Sequence, residues 1–249
     1  MEEDWVDLAV DAARLAGEMV RDNWDRSKEV LSREPGDVKL QVDRDIEKVV
    51  IDFLDVDGYD FSFLTEERGF LGDSDLTWVI DPVDGTVNYS SGIPFVSVSI
   101  ALRSDDSVVL GVVYDPIRDE LFKAVSGVGA FLNGERIKSS SRGLNDSIVE
   151  VSHFKDWRSV ESMERLIPDI SKVRKFGSCA LSLAYVSAGR LDGYLTFKAF
   201  EWDIAAGSLL VEESGGMVSD LSGDEFVLEE GGFLFSNGEI HKDVLDRIG

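Results

Sequence analysis

The stretch Trp78-Val79-Ile80-Asp81-Pro82-Val83-Asp84-Gly85-Thr86 decides how the rest of the chain is read. A short apolar run bounded by turn residues reads as a buried strand. Asp81 and Asp84 are therefore expected where that strand leaves the core as a loop. Pro82 fixes one backbone angle and stiffens the loop. Gly85 lets the backbone come close to a ligand. Two carboxylates on one stiff loop repel each other, which makes a poor structural device but a good cation site, because hard divalent cations take oxygen ligands.

Two other acidic patches share this local form: Thr65-Glu66-Glu67 and Glu201-Trp202-Asp203-Ile204-Ala205-Ala206-Gly207. Each puts carboxylates at a strand end or a helix start. Together the three can bring Glu66, Asp81, Asp84 and Asp203 to one point, with the Val83 carbonyl as a neutral ligand. Four carboxylates share a pocket only if cations neutralise them. Magnesium suits the set, since it accepts a few carboxylates and keeps waters and phosphate oxygens. Paired ions can activate water for an in-line displacement. Helix starts near Thr86, Ser178 and Asp203 are expected to point N-termini at phosphate. In that setting Thr86 orients the attacking water, with Glu66 and Asp43 as proton acceptors.

The chain has 249 residues, 43% hydrophobic and 10% aromatic, enough for a substantial core. Its formal net charge of −24 argues against nucleic acid and anionic membranes as partners. Asp exceeds Glu and Arg exceeds Lys, which fits a salt-rich cytoplasm or, equally, an ordinary acidic enzyme. No apolar run spans a bilayer, and the N-terminus is acidic rather than a basic signal start. Cys179 is the single cysteine, so no intrachain disulfide can form, and a cytoplasmic location is expected.

Apolar spacing predicts a first helix ending near Trp24, then a break at Glu34-Pro35-Gly36-Asp37. Val38, Leu40 and Val42 alternate like a strand. Asp43 is placed to cap a second helix with Ile46, Val49, Val50, Phe53 and Leu54 on its apolar face. Strands follow at 61–64, 78–80, 95–102, 108–114 and 120–125, with a turn at Asn133-Gly134. Short connections predict a mainly antiparallel sheet. Beyond the polar run at Ser139-Ser140-Ser141, strands at 148–151, 173–176, 191–197 and 233–235 alternate with helices at 160–167, 178–188 and 203–213, and a last helix runs to Ile248. That rhythm is α/β. The predicted halves are 1–141, with most metal ligands, and 142–249, completing the site.

At this point the chain resembles the inositol monophosphatase superfamily of magnesium-dependent, lithium-sensitive sugar phosphatases, including archaeal enzymes that act on both inositol phosphates and fructose 1,6-bisphosphate. The resemblance rests on Glu66-Glu67; Asp81-Pro82-Val83-Asp84-Gly85-Thr86 with Asn88 and Gly92-Ile93-Pro94; Trp202-Asp203 with Ala205-Ala206-Gly207; and Phe176-Gly177-Ser178 with Ala180 and Leu181. These blocks stand in order over nearly the whole chain. The resemblance implies a layered α/β/α/β/α sandwich, a homodimer, and two to three magnesium ions per subunit, with lithium as an inhibitor. It implies metal ligands Glu66, Asp81, the Val83 carbonyl, Asp84 and Asp203. It also implies water activation by Glu66 and Thr86, with Asp43 bonded to Thr86. Glu67 reads either as a surface neighbour or as a residue supporting the site from behind, and the second reading is preferred. Phosphate then sits on Gly85 and Thr86.

Inositol-specific members usually carry a glutamate seven residues before the last metal aspartate; here that residue is Thr196. Lys198 follows it, and Arg174 is a second cation of the same region. Arg174, Ser178, Thr196 and Lys198 are therefore the expected substrate contacts, tilting the reading towards fructose 1,6-bisphosphate with inositol 1-phosphate as a second substrate. Phosphatases of 3'-phosphoadenosine phosphates usually show Lys-Glu after Gly-Thr, where this chain has Val87-Asn88. A non-catalytic cation-binding relative is the remaining alternative.

Each residue also has a plainer reading. Asp81 and Asp84 can cap a turn, and Asp43, Asp203 and Ser178 can cap helices. Lys198 and Arg174 can be ordinary solvated charges. His153 and His241 lack ligand spacing, Cys179 reads as a small buried apolar side chain, and no nucleophile–base pair stands out.

Overall fold

The computed structural model describes residues 2–26, 30–34, 37–152 and 157–249. Pro35 and Gly36 of the expected break, and His153, lie outside the described residues. Helix α1 (Glu2–Asp22) buries a stripe of small residues, Ala9, Ala12, Ala13, Ala16 and Val20. A hairpin of β1 (Val30–Glu34) and β2 (Asp37–Leu40) leads into α2 (Gln41–Leu54). Two expectations are corrected here. Val42 belongs to the first turn of α2 rather than to a strand, and Leu40, not Asp43, is the N-cap. Asp43 stands three residues on, where its Oδ2 accepts the Leu40 N–H at 3.1 Å. Ile46, Val50 and Leu54 are buried as expected, while Phe53 is exposed.

The larger sheet holds eight strands: β3 (Ser62–Thr65), β4 (Gly69–Leu71), β5 (Leu76–Asp84), β6 (Ser97–Ser104), β7 (Ser107–Asp115), β8 (Glu120–Val125), β9 (Gly129–Leu132) and β10 (Glu135–Arg136). Their order is β10-β9-β8-β7-β6-β5-β3-β4. All pairs are antiparallel except β3 with β5. That exception matters: Thr65 pairs with Ile80, so the chain leaves β3 at Glu66 beside the point where β5 reaches Asp81. Helix α3 (Thr86–Ser91) joins β5 to β6.

The smaller sheet is mixed. It contains β11 (Ile148–Ser152), β12 (Lys172–Arg174), β13 (Gly193–Ala199), β14 (Met217–Asp220) and β15 (Gly231–Ser236), ordered β12-β11-β13-β15-β14. β11 runs parallel to both neighbours. The helices of this region are α4 (Trp157–Leu166), α5 (Cys179–Ser187), α6 (Glu201–Glu213) and α7 (His241–Ile248).

The layers follow from which faces are apolar. α1 and α2 cover one face of the larger sheet through Ala9, Ile46, Trp78 and Ile100. α5 and α6 are apolar on most sides, and such helices belong in an interior. Ala180, Ala205 and Leu209 meet Val79, Ala101 and Phe122 of the larger sheet. Leu183, Ile204 and Val211 meet Tyr194 and Phe235 of the smaller. α4 and α7 close its outer face through Met163, Leu166 and Val244. The result is the expected α/β/α/β/α sandwich. Two glycines keep the middle tight: a Cβ on Gly207 would stand 2.4 Å from Leu183, and one on Gly111 would stand 2.7 Å from the Ala206 carbonyl. Residue 141 falls in the irregular segment between β10 and β11. Among the described residues no helix is long and apolar enough to cross a membrane.

Candidate active site

The first carboxylates do not sit on a loop after a strand. β5 continues through Asp84, and the strand itself is irregular there. Asp81 pairs with Ser99 and Asp84 with Ser97, so three steps on β5 face two on β6. In a regular strand, residues three apart point to opposite faces. The extra residue is a β-bulge, which restores Asp81 and Asp84 to the same face. Pro82 lies within the bulge, where a missing N–H removes no ladder bond.

Asp84 is buried and reaches across to α5. Its Oδ2 accepts from the Ser97 hydroxyl at 2.9 Å, from the Ser178 hydroxyl, from Ala180 N at 2.9 Å and from Leu181 N at 3.4 Å. Its Oδ1 accepts from Cys179 N at 2.9 Å. The α5 N-terminus, expected to face phosphate, is taken in the structure by Asp84, as an anion at a helix N-terminus should be. Ser178 is the N-cap residue, and its hydroxyl serves Asp84.

Asp203 stands in the first turn of α6, where its Oδ2 accepts the Phe200 N–H at 2.8 Å. Burial pushes its carboxyl up to about 7, Asp84 adds to the rise, and the Phe200 bond opposes it. Asp81 is raised well above the ordinary carboxyl range, first by burial, then by Glu66, Asp84, Asp203 and Asp43. Asp84 is also raised by burial despite the hydrogen bonds that oppose it. Asp81 thus feels Glu66 from the turn after β3, Asp84 from β5, Asp43 from α2 and Asp203 from α6.

Glu66 and Glu67 form the turn after β3. Glu67 takes Arg44 at 3.2 Å, and its N–H donates to Glu47 Oε2 at 2.9 Å. Sequence reasoning missed Glu47, which is fully buried and also takes Arg68 at 3.2 Å. The signal was available: Glu47 lies one turn after Asp43 on the buried face of α2. Gly85 has φ +91°, and a Cβ there would meet Phe95 O at 3.1 Å and Gly177 O at 3.2 Å. Only glycine fits that combination. Thr86 Oγ donates to the Val83 carbonyl at 3.0 Å. Asn88 Nδ2 donates to Phe95 O at 2.8 Å and Phe176 O at 2.7 Å, tying the segment before β6 to the segment before α5 beside the site.

A cavity of about 430 Å³ opens beside these groups, lined by Asp84, Asp203, Asn88, Lys175 and Ser178 among others. Three of the expected substrate residues are not on its wall. Arg174 is exposed and donates to Val173 O at 2.9 Å. Lys198 pairs with Glu230 at 2.8 Å and lies over the Phe200 ring. Thr196 is buried, its hydroxyl donating to Lys198 O at 2.7 Å. Among the described residues the basic one on the wall is Lys175, one position beyond Arg174. Cys179 is half-buried: it lines the cavity and also packs against the core between α5, α6 and the smaller sheet. Trp202 stacks on Phe200 at 5.0 Å. His241 is buried between the Ser219 and Ser236 hydroxyls, away from these acids, and burial lowers its pKa.

Among the described residues no three acidic, histidine or cysteine groups close into a ready-made metal cluster. The donor chemistry nevertheless fits a hard divalent cation. Asp81 and Asp84 are buried and Glu66 and Asp203 half-buried, neighbouring carboxylates raise the Asp81 and Asp203 carboxyls, and Asp84 Oδ1 holds a single hydrogen bond, leaving acceptor capacity.

The inositol monophosphatase family profile matches residues 1–248. The Nus factor SuhB of Pasteurella multocida is 39% identical over 253 aligned positions, covering 98% of this chain and 95% of that protein. A Thermotoga maritima fructose-1,6-bisphosphatase/inositol-1-monophosphatase is 36% identical, covering 98% and 96%. The crystal structure of the extragenic suppressor protein suhB from Bartonella henselae superposes with a TM-score of 0.92 at 35% identity, covering 97% of each chain. With acids from four elements meeting on this layered fold, and with matches that run from end to end, the chain belongs to the inositol monophosphatase family.

Proposed function

We propose that this protein is a magnesium-dependent phosphomonoesterase acting on a small sugar or polyol phosphate. The observation that carries the reading is Asp81, buried and surrounded by Glu66, Asp84, Asp203 and Asp43. Such a group of carboxylates is stable as a set only with a cation. Glu66, Asp81, the Val83 carbonyl, Asp84 and Asp203 would hold magnesium. When bound, it neutralises these acids and offsets charge on the phosphate oxygens. The Gly85 and Thr86 amides take a phosphate oxygen. Thr86 Oγ orients the attacking water, and Glu66 accepts its proton, with Asp43 behind. No phosphorylated side chain forms.

The cavity supports a monophosphate better than a bisphosphate. Arg174 and Lys198, which motivated the bisphosphate, are engaged elsewhere. Inositol 1-phosphate is the preferred substrate in this reading and fructose 1,6-bisphosphate the weaker one. Phosphate release from both, and from 3'-phosphoadenosine 5'-phosphate, with and without magnesium and lithium, tests it. Magnesium-dependent, lithium-sensitive release fastest with inositol 1-phosphate is expected; a bisphosphate preference overturns the substrate assignment. Relatives that bear the name Nus factor favour a second reading, a partner-binding protein; absence of release from every substrate would select it. Assembly as a homodimer is part of the proposal, and light scattering at the monomer mass would remove it.

A further inference from the structure

One buried carboxyl beside the cavity has no part in the reading above. Glu150, on β11, is 1% exposed and lines the same cavity as Asp84. Its Oε1 accepts from Phe176 N at 2.7 Å and more weakly from Gly177 N at 3.4 Å. Its Oε2 lies 2.5 Å from the Ser182 hydroxyl, on α5. No lysine or arginine bonds to it among the described residues. A buried acid with hydrogen bonds but no cation is costly as an anion.

The protons can be counted. The Ser182 oxygen also lies 2.6 Å from the Ser178 carbonyl. A hydroxyl has one proton, and a carbonyl has none to give. If Ser182 donates to Ser178, the proton between Ser182 and Glu150 must come from Glu150. Burial raises the Glu150 carboxyl, which agrees with a proton resting there. The neutral carboxyl then accepts at one oxygen from the Phe176–Gly177 turn and donates at the other into α5.

We propose that Glu150 is a positioning residue for Asp84: it fixes the Phe176–Gly177 turn against α5, so that Ser178, Cys179 and Ala180 stay aimed at the Asp84 carboxylate. The chain of contacts is continuous, from Glu150 to Phe176 N and Ser182, through the first turn of α5, to both oxygens of Asp84. Glu150 touches neither phosphate nor metal. It sets the direction of a carboxylate that the proposed function uses as a ligand, and the inference rests on that reading only for its effect on catalysis.

Glu150→Gln and Glu150→Ala separate the roles. Glutamine accepts through its oxygen and donates through its nitrogen, which reproduces the neutral acid. The measurements are amide hydrogen exchange at residues 176–181, magnesium affinity by calorimetry, and kcat and KM for inositol 1-phosphate. E150Q is expected within about twofold of the parent on all three. E150A is expected to exchange these amides at least about tenfold faster and to bind magnesium about tenfold more weakly, with the loss in kcat rather than KM, as for groups that orient metal ligands. Ser182→Ala keeps the carboxyl and serves if E150A does not fold; it should move exchange and magnesium affinity in the same direction by a few fold. E150Q as damaged as E150A would overturn the proposal, as would unchanged exchange and magnesium affinity in E150A or S182A. If the parent protein releases no phosphate, the phosphatase reading falls, while exchange and magnesium binding still judge Glu150.

Discussion

At the scale of single residues, the site trades stability for chemistry. Asp81 is a buried acid among four others, and among the described residues its one hydrogen bond is the local turn contact from Val83 N at 3.1 Å. Asparagine keeps the shape and removes the charge. Asp81→Asn is therefore expected to melt at or above the temperature of the parent in EDTA, while losing magnesium-dependent phosphate release. A variant that melts well below the parent without metal would contradict the repulsion argument. Asn88 has the opposite character. It satisfies two carbonyls, of Phe95 and Phe176, from segments far apart in the chain. Asn88→Ala leaves both short of a donor and should cost about 2 kcal/mol in urea unfolding, since each buried unmet group costs on the order of 1–3 kcal/mol. A cost below about 0.5 kcal/mol would show that water replaces the amide.

At the scale of elements, the site depends on α6 and α5 being held close to β7 and to each other. Gly207 is the tightest point, because an added Cβ would stand 2.4 Å from Leu183 Cδ1 and 2.5 Å from its Cβ. The second of these atoms lies next to the backbone and cannot swing away. Gly207→Ala should therefore cost about 1–3 kcal/mol, the range for overpacking a core. It should also lower magnesium affinity, since Asp203 rides on the first turn of the same helix. Full stability in the variant would mean that the helices slide without penalty.

At the scale of the molecule, burying acids links folding to pH. Asp203 is raised from its ordinary 3.8 to about 7 in the fold. Between those values the folded chain holds more protons than the unfolded one, so stability falls as pH rises. The contribution is fully present below about pH 3.8 and lost as pH passes about 7. Asp81 and Asp84 shift in the same direction. His241 works the other way: lowered in the fold from 6.5, it contributes stability above that value and loses it as pH falls. Magnesium competes with the protons of the acids. The rise in Tm on adding magnesium should therefore be larger at pH 8 than at pH 5; equal shifts at both would refute the linkage. The net charge of −24 adds a general self-repulsion to these local terms.

The sequence by itself determined the elements and the identity of the acids. Apolar spacing marked α1 and α2, the strand run 120–125 matched β8, and the central helices were visible because α5 and α6 are apolar on most sides. Glu66, Asp81, Asp84 and Asp203 stood out because carboxylates at element ends have few structural uses. Local pattern could not say which way a side chain turns or what stands opposite. The bulge that returns Asp81 and Asp84 to one face is a property of the pairing of β5 with β6, and the approach of Glu66 to Asp81 is a property of the parallel register of β3 with β5. Arg174, Thr196 and Lys198 had suitable chemistry in one dimension, yet Lys198 turns to Glu230 and Lys175 takes the cavity wall. Glu47 and Glu150 were hidden for the same reason. A carboxylate in a helix or strand reads as solvated until the fold buries it, and only contacts far apart in sequence reveal that it is buried and what it holds.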